Sequence, residues 1–152
     1  MDVIDIYTDG SCLSNPGKGG WAVVFPNGEN GSLVGNSVYT TNNRMEIYAV
    51  YQAIKLGIAV AKAGDTLRIH SDSSYVVNAI SKGWLARWCI NGWKNSSDGS
   101  VANVDLWHKI LFLLGKAHDK GIGIDMVKVK GHNGDEFNEH ADRLAREAAA
   151  NA

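Results

Sequence analysis

VIDIYTDGSCLSNPGKGGWAVVF, residues 3–25, is the stretch on which the fold turns. Two β-rich runs, VIDIYTD (3–9) and WAVVF (21–25), flank a segment broken by glycine, asparagine and proline. A Pro26-Asn27-Gly28 turn leads into SLVGNSVY (32–39), so the first quarter of the chain reads as an antiparallel meander. The glycine-rich break is not a phosphate cradle. G-x-x-x-x-G-K-[ST] fails, because counting from Gly17-Lys18 puts Cys12 at the first glycine and Gly19 at the Ser/Thr. G-x-G-x-x-G fails too, with Ala22 where the third glycine is required. What remains is Asp9, a carboxylate closing a strand.

Working outward, the pattern changes at Asn43 to a long helix that closes near Gly64. TLRIHSD (66–72) is another strand ending in a carboxylate, and SSYVVNAI (73–80) starts a helix behind a serine cap. Residues 83–100 hold three of the five tryptophans among glycine, asparagine and serine, which predicts a short helix and a loop. VDLWHKILFLLGKAH (104–118) is an apolar helix, followed by the strand GIDMVKVK (123–130) and a GHNG loop. A final helix carries Phe137, Ala141, Leu144, Ala145 and Ala148 on one stripe. Three strands and then alternating helix and strand predict a mixed α/β sheet. Right-handed crossovers would make its later strands parallel to the first.

At 152 residues, 45% hydrophobic and 20% charged, the chain has the length and composition of a single globular domain, not of a disordered or collagen-like polymer. Cys12 and Cys89 lie far apart without metal-ligand spacing and read as reduced thiols. The start, MDVIDIYTDG, lacks the basic and apolar regions of a signal peptide, and LGIAVA (56–61) is too short to cross a bilayer. A cytoplasmic protein with no membrane partner is expected. A net charge of -1 neither favours nor excludes nucleic acid, which would need local patches.

Four acids look placed. Asp9 shares a strand face with Asp5 and Tyr7, and Asp72 shares one with Arg68 and His70. Parallel neighbouring strands would project both acids at their carboxyl ends, where sites in open α/β sheets lie. Acids also follow strands simply as turn or cap residues. Glu46 falls opposite Gln52, Lys55 and Lys62 on the helical wheel, among Ala49, Val50 and Ala53. There a carboxylate is costly unless protonated, paired or metal-bound, although a first-turn position would let it serve the helix dipole. Asp142 lies beside the stripe of the last helix, where pairing with Arg146 at i+4 is the ordinary alternative. Four converging carboxylates would repel without a cation and suit Mg2+ or Mn2+. The chemistry that follows is two-metal phosphoryl transfer, with ions about 3.5–4 Å apart.

The blocks YTDGSCLSNPGKGG, TTNNRMEIYA, SDSSYV, NVDLWHKI and VKGHNGDEFNEHADRLA, in order along nearly the whole chain, resemble type I ribonuclease H. The resemblance implies a five-stranded mixed sheet with helices packed on it, the first three strands antiparallel. It implies that Asp9, Glu46, Asp72 and Asp142 bind two Mg2+ ions, with Mn2+ a possible substitute. The activity implied is endonucleolytic hydrolysis of the RNA strand of an RNA-DNA hybrid, leaving 5′-phosphate and 3′-hydroxyl ends. His132 matches the family's mobile catalytic histidine, and Gly131 and Gly134 suit a hinge. Asn15, Asn43 and Ser74 lie where the family touches the minor groove, with Thr41 and Asn42 near phosphate or sugar.

The chain departs from that pattern twice. Ser74 stands where many relatives carry glutamine. The tryptophan segment, lysine-rich in many relatives, holds over residues 82–105 only Lys82, Arg87 and Lys94 against Asp98 and Asp105, a net +1. Lys82, Trp84, Arg87 and Lys94 are its expected duplex contacts, while Trp84, Trp88 and Trp93 more often pack than stack on bases. One domain spanning 1–152, acting as a monomer without a separate hybrid-binding domain, is the expectation. Another phosphotransferase of the same superfamily would share the acids but need not share the asparagine and GHNG blocks. A hybrid-binding module without catalysis would be expected to lack at least one acid.

Overall fold

The computed structural model describes residues 1–26, 31–97, 99–130 and 135–152. Five strands form one mixed sheet: β1 (Val3–Cys12), β2 (Gly17–Val24), β3 (Ser32–Thr40), β4 (Thr66–Ser71) and β5 (Gly123–Lys128). Their order is β3-β2-β1-β4-β5, with β2 antiparallel to β1 and β3, and β4 parallel to β1 and β5. The helices are α1 (Asn42–Val60), α2 (Ser74–Ser81), α3 (Trp84–Asn91), α4 (Val104–Asp119) and α5 (Glu136–Ala150). Meander, mixed sheet and helices are as the sequence predicts. No helix among the described residues is long and apolar enough to cross a membrane.

The two faces of the sheet are covered differently. On one, Ile6 and Leu67 meet α1, which comes so close that a Cβ on Gly57 would lie 2.5 Å from a Leu67 methyl. On the other, Tyr7 packs against Phe137 of α5 at a centroid distance of 5.5 Å. There a Cβ on Gly20 would lie 2.4 Å from the Ala145 carbonyl oxygen, so that glycine lets α5 seat against β2. The α5-side face of β4 carries polar side chains. Asp5, Arg68 and Asp125 stand in register across β1, β4 and β5, with nitrogen-to-oxygen distances of 3.8 and 3.7 Å. His70 stacks on Tyr7 at 4.1 Å and contacts Asp5 Oδ1 through Nε2 at 2.8 Å.

Several boundaries differ from the sequence reading. β1 runs on past Asp9 because Gly10, Ser11 and Cys12 pair with Trp21, Gly20 and Gly19 of β2. Asp9 therefore ends no strand; it lies two residues beyond Tyr7, the last β1 residue paired with β4. β2 correspondingly begins at Gly17, not Trp21. α1 stops at Val60 instead of near Gly64, since the Asp65 carboxylate accepts from Lys62 N–H at 2.8 Å and from Asp2 N–H at 3.0 Å. These bonds turn the chain and hold Asp65 below the usual carboxylate range.

Candidate active site

Three elements carry the acids to one place. Asp9 projects from β1, Asp72 follows the end of β4, and Glu46 lies in α1. One carboxylate oxygen from each falls within 4.8 Å of the others. The parallel β1-β4 pairing explains two members: one more pair of residues past Tyr7 and His70 leads to Asp9 and Asp72 on the same side of the sheet.

Glu46 arrives by a different route. It lies beyond the first turn of α1, which contains no acid, so the helix-dipole role does not account for it. It is 7% exposed, and its Oε1 accepts a hydrogen bond from the Gly10 backbone N–H. A Cβ on residue 10 would sit 2.4 Å from the backbone of Met45 and Glu46, so only glycine lets α1 cross β1 this closely. Sequence reasoning passed over Gly10, although a glycine inside a strand is the usual sign of close backbone approach.

The electrostatics are those of like charges held out of water. Burial, then Asp72, then Asp142 push the Asp9 carboxyl up to about 8, against a hydrogen bond from Glu46 that lowers it. Burial and the charges of Asp9 and Asp72 raise Glu46 well above the ordinary glutamate range. Asp9 and Glu46 therefore titrate together, and the proton they hold belongs to the pair. Asp142 of α5 raises the Asp9 carboxyl and pairs with Arg146 at 3.1 Å, the i+4 pairing that is its ordinary alternative. Among the described residues the cluster is three carboxylates without histidine or cysteine, a donor set that fits a hard divalent cation, as does their mutual repulsion.

Five of the expected substrate residues lie at two helix starts or are tied to one. Thr41 caps α1, its Oγ1 accepting from Arg44 N–H at 3.2 Å. Asn15 Oδ1 accepts from Asn42 N–H at 3.1 Å, tying the β1-β2 turn to that cap, while Asn15, Asn42 and Asn43 stay exposed. Exposed Ser74 opens α2 directly after Asp72, behind the Ser73 cap. Arg44, also missed in the sequence, forks onto Asp105 at 3.0 and 2.8 Å and reaches Asn103 at 3.2 Å, joining α1 to α4. Lys82, Arg87 and Lys94 are exposed, Trp84 is half-buried and Trp88 is buried. His132, Gly131 and Gly134 lie outside the described residues.

The sequence profile of the RNase H family matches residues 1–150. A ribonuclease H of Syntrophomonas wolfei is 48% identical over 149 residues, covering 97% of both chains. One from Chlorobium phaeobacteroides is 46% identical over 149 residues, covering 97% of this chain and 96% of its own. Among solved structures, LC9-RNase H1, a type 1 RNase H with the type 2 active-site motif, superposes with a TM-score of 0.74 at 29% identity. That match covers 98% of this chain and 72% of the other. A foamy viral protease-reverse transcriptase in complex with RNA/DNA hybrid gives a TM-score of 0.81 at 23% identity over 98% of this chain and 20% of that one, a likeness of fold alone.

Proposed function

This chain belongs to the RNase H family, and on that basis we propose that it cleaves the RNA strand of RNA-DNA hybrids endonucleolytically, leaving 5′-phosphate and 3′-hydroxyl ends. The observation that carries the reading is the convergence of one carboxylate oxygen each from Asp9, Glu46 and Asp72 within 4.8 Å, with Asp142 acting on Asp9. These four acids would hold two Mg2+ ions. Bound there, the ions would supply an activated water and charge stabilisation at the leaving oxygen.

The chain's own residues set the geometry. The Gly10 N–H orients Glu46 towards Asp9, and Arg146 steadies Asp142 at the edge of the cluster. Asp9 and Glu46 must give up their shared proton before they can bind cations, so binding competes with protons. Asn15, Thr41, Asn42, Asn43 and Ser74 offer amides and hydroxyls beside the acids, suited to minor-groove edges and 2′-hydroxyls without demanding a sequence. His132 follows β5 in the chain and is assigned to proton transfer or release of the 5′-phosphate product.

Cleavage of matched RNA-DNA, RNA-RNA and DNA-DNA duplexes, with and without Mg2+, tests the reading. Cutting confined to the RNA of the hybrid and dependent on Mg2+ is expected. Equal cutting of all three duplexes would assign the site to a less selective nuclease.

A further inference from the structure

A groove between α1 and α4 lies outside the roles assigned above. Its cavity of about 410 Å³ is lined by Tyr51, Lys55, Lys109, Phe112, Leu113 and Lys116. His108, whose ring is tilted against Trp93 at a centroid distance of 4.6 Å, completes the wall and ties it to the tryptophan segment. No carboxylate lines the cavity, although the chain as a whole carries a charge of -1. Arg44, Arg68 and Arg146 are engaged with acids, whereas the three groove lysines make no ion pair among the described residues. Lys109 Nζ stands 5.6 Å from the Tyr51 ring centroid, and Phe112 is 72% exposed between Lys109 and Lys116.

Through Lys109 the groove leads towards the start of α1, where hybrid contacts are proposed. Lys109 also lines a second cavity, of about 480 Å³, together with Thr40, Arg44 and Asp105, next to the Thr41–Asn43 cap. Glu46 to Lys55 is nine residues of α1, about 14 Å at 1.5 Å per residue, or about four nucleotide steps at 3.4 Å each. Lysines interleaved with exposed aromatic rings suit single strands, whose bases have free faces to stack; a duplex hides them. We propose that this groove binds single-stranded nucleic acid adjoining the hybrid, with Lys55, Lys109 and Lys116 on phosphates and Phe112 stacked against a base. The inference rests on the hybrid reading, since the strand it takes is the unpaired flank of that substrate.

The test compares a blunt RNA-DNA hybrid with the same hybrid bearing a single-stranded DNA tail of about ten nucleotides at either end. Binding to the Asp9→Asn protein, which prevents cleavage, is followed by fluorescence anisotropy across a salt series. One of the two tails is expected to raise affinity about tenfold and steepen the slope of log K against log salt by about 2, from three phosphates at about 0.7 each. Lys55→Ala/Lys109→Ala/Lys116→Ala should remove the added slope. Phe112→Ala should remove most of the affinity gain and leave that slope. The absence of a gain from either tail, or a gain that survives both variants, overturns the proposal. So does displacement of the tail by poly-glutamate as readily as by an oligodeoxynucleotide, which would mark a face for acidic polypeptides. Cleavage of the blunt hybrid by the unaltered protein in Mg2+ tests the parent reading separately: its failure beside intact tail binding would sink the ribonuclease assignment and leave the groove standing.

Discussion

The acid cluster and the tryptophan segment are both built from side chains unusual for their surroundings, but they answer to opposite energetics. Asp9 and Glu46 are 4% and 7% exposed, like-charged and adjacent, and their burial works against folding. In the tryptophan segment Trp88 lies 6.4 Å from Trp84 and 5.7 Å from Trp107, with Tyr75 6.3 Å away, and burial of these rings favours folding. Its charges, Lys82, Arg87 and Lys94, stay in water. The rings are explained by packing, whereas packing gives no reason to gather the acids. Chemistry is therefore sought where folding gains nothing.

The sharpest way to break this comparison is to remove a charge from the costly region. Asp9→Asn or Asp72→Asn should lower turnover by about a thousandfold or more, about 4 kcal/mol of barrier, with the fold preserved. Steady-state cleavage in Mg2+ beside circular dichroism decides this, and near-normal activity in either variant would remove the assignment. Gly10→Ala should cost about 3 kcal/mol of stability, because the new Cβ meets α1 backbone, which a side-chain rotation cannot relieve. Urea unfolding measures it, and a loss below about 0.5 kcal/mol would show that α1 does not need this approach. His132→Ala should lower kcat about a hundredfold, with little change in hybrid affinity. Pre-steady-state kinetics separate the two, and an unchanged kcat with raised KM would make His132 a binding residue only.

The pH dependence of the metal-free protein sharpens the contrast further. Asp9 and Glu46 hold protons more tightly folded than unfolded; the Asp9 contribution is complete below about pH 4 and is lost as pH rises towards about 8, and Glu46 acts in the same direction. Because the two share a proton, a loss of about 2 kcal/mol between pH 5 and 8 is expected, less than the Asp9 shift alone implies. Thermal unfolding with a chelator measures this; Asp9→Asn should flatten the decline, and Mg2+ should oppose it. A profile that rises over this range would contradict the cluster's electrostatics. The smallest effect belongs to the tryptophan segment. Changing Lys82, Arg87 and Lys94 together to alanine should reduce the salt slope of blunt-hybrid binding by at most about 3, at about 0.9 per phosphate. A larger loss, or none, would mean the segment is not a reduced duplex handle.

The strand and helix periods, the serine cap at Ser73, the polar faces ending towards Asp9 and Asp72 and the inward bearing of Glu46 are local properties, and the sequence by itself determined them. Spacing along one strand or one helix sets which way a side chain points, whatever packs around it. The ordered blocks determined the family in the same way, because each is a short run of adjacent residues. Only the tertiary structure decided that β1 continues past Asp9, since that depends on pairing with Gly19 to Trp21 of β2. It alone brought α1 across Gly10 to set Glu46 beside Asp9, and Arg44 onto Asp105. It alone placed Lys55 of α1 in one groove with Lys109 and Lys116 of α4. Contacts between residues dozens of positions apart depend on how close two elements can come, and that distance is set by packing between them, not by the period of either one.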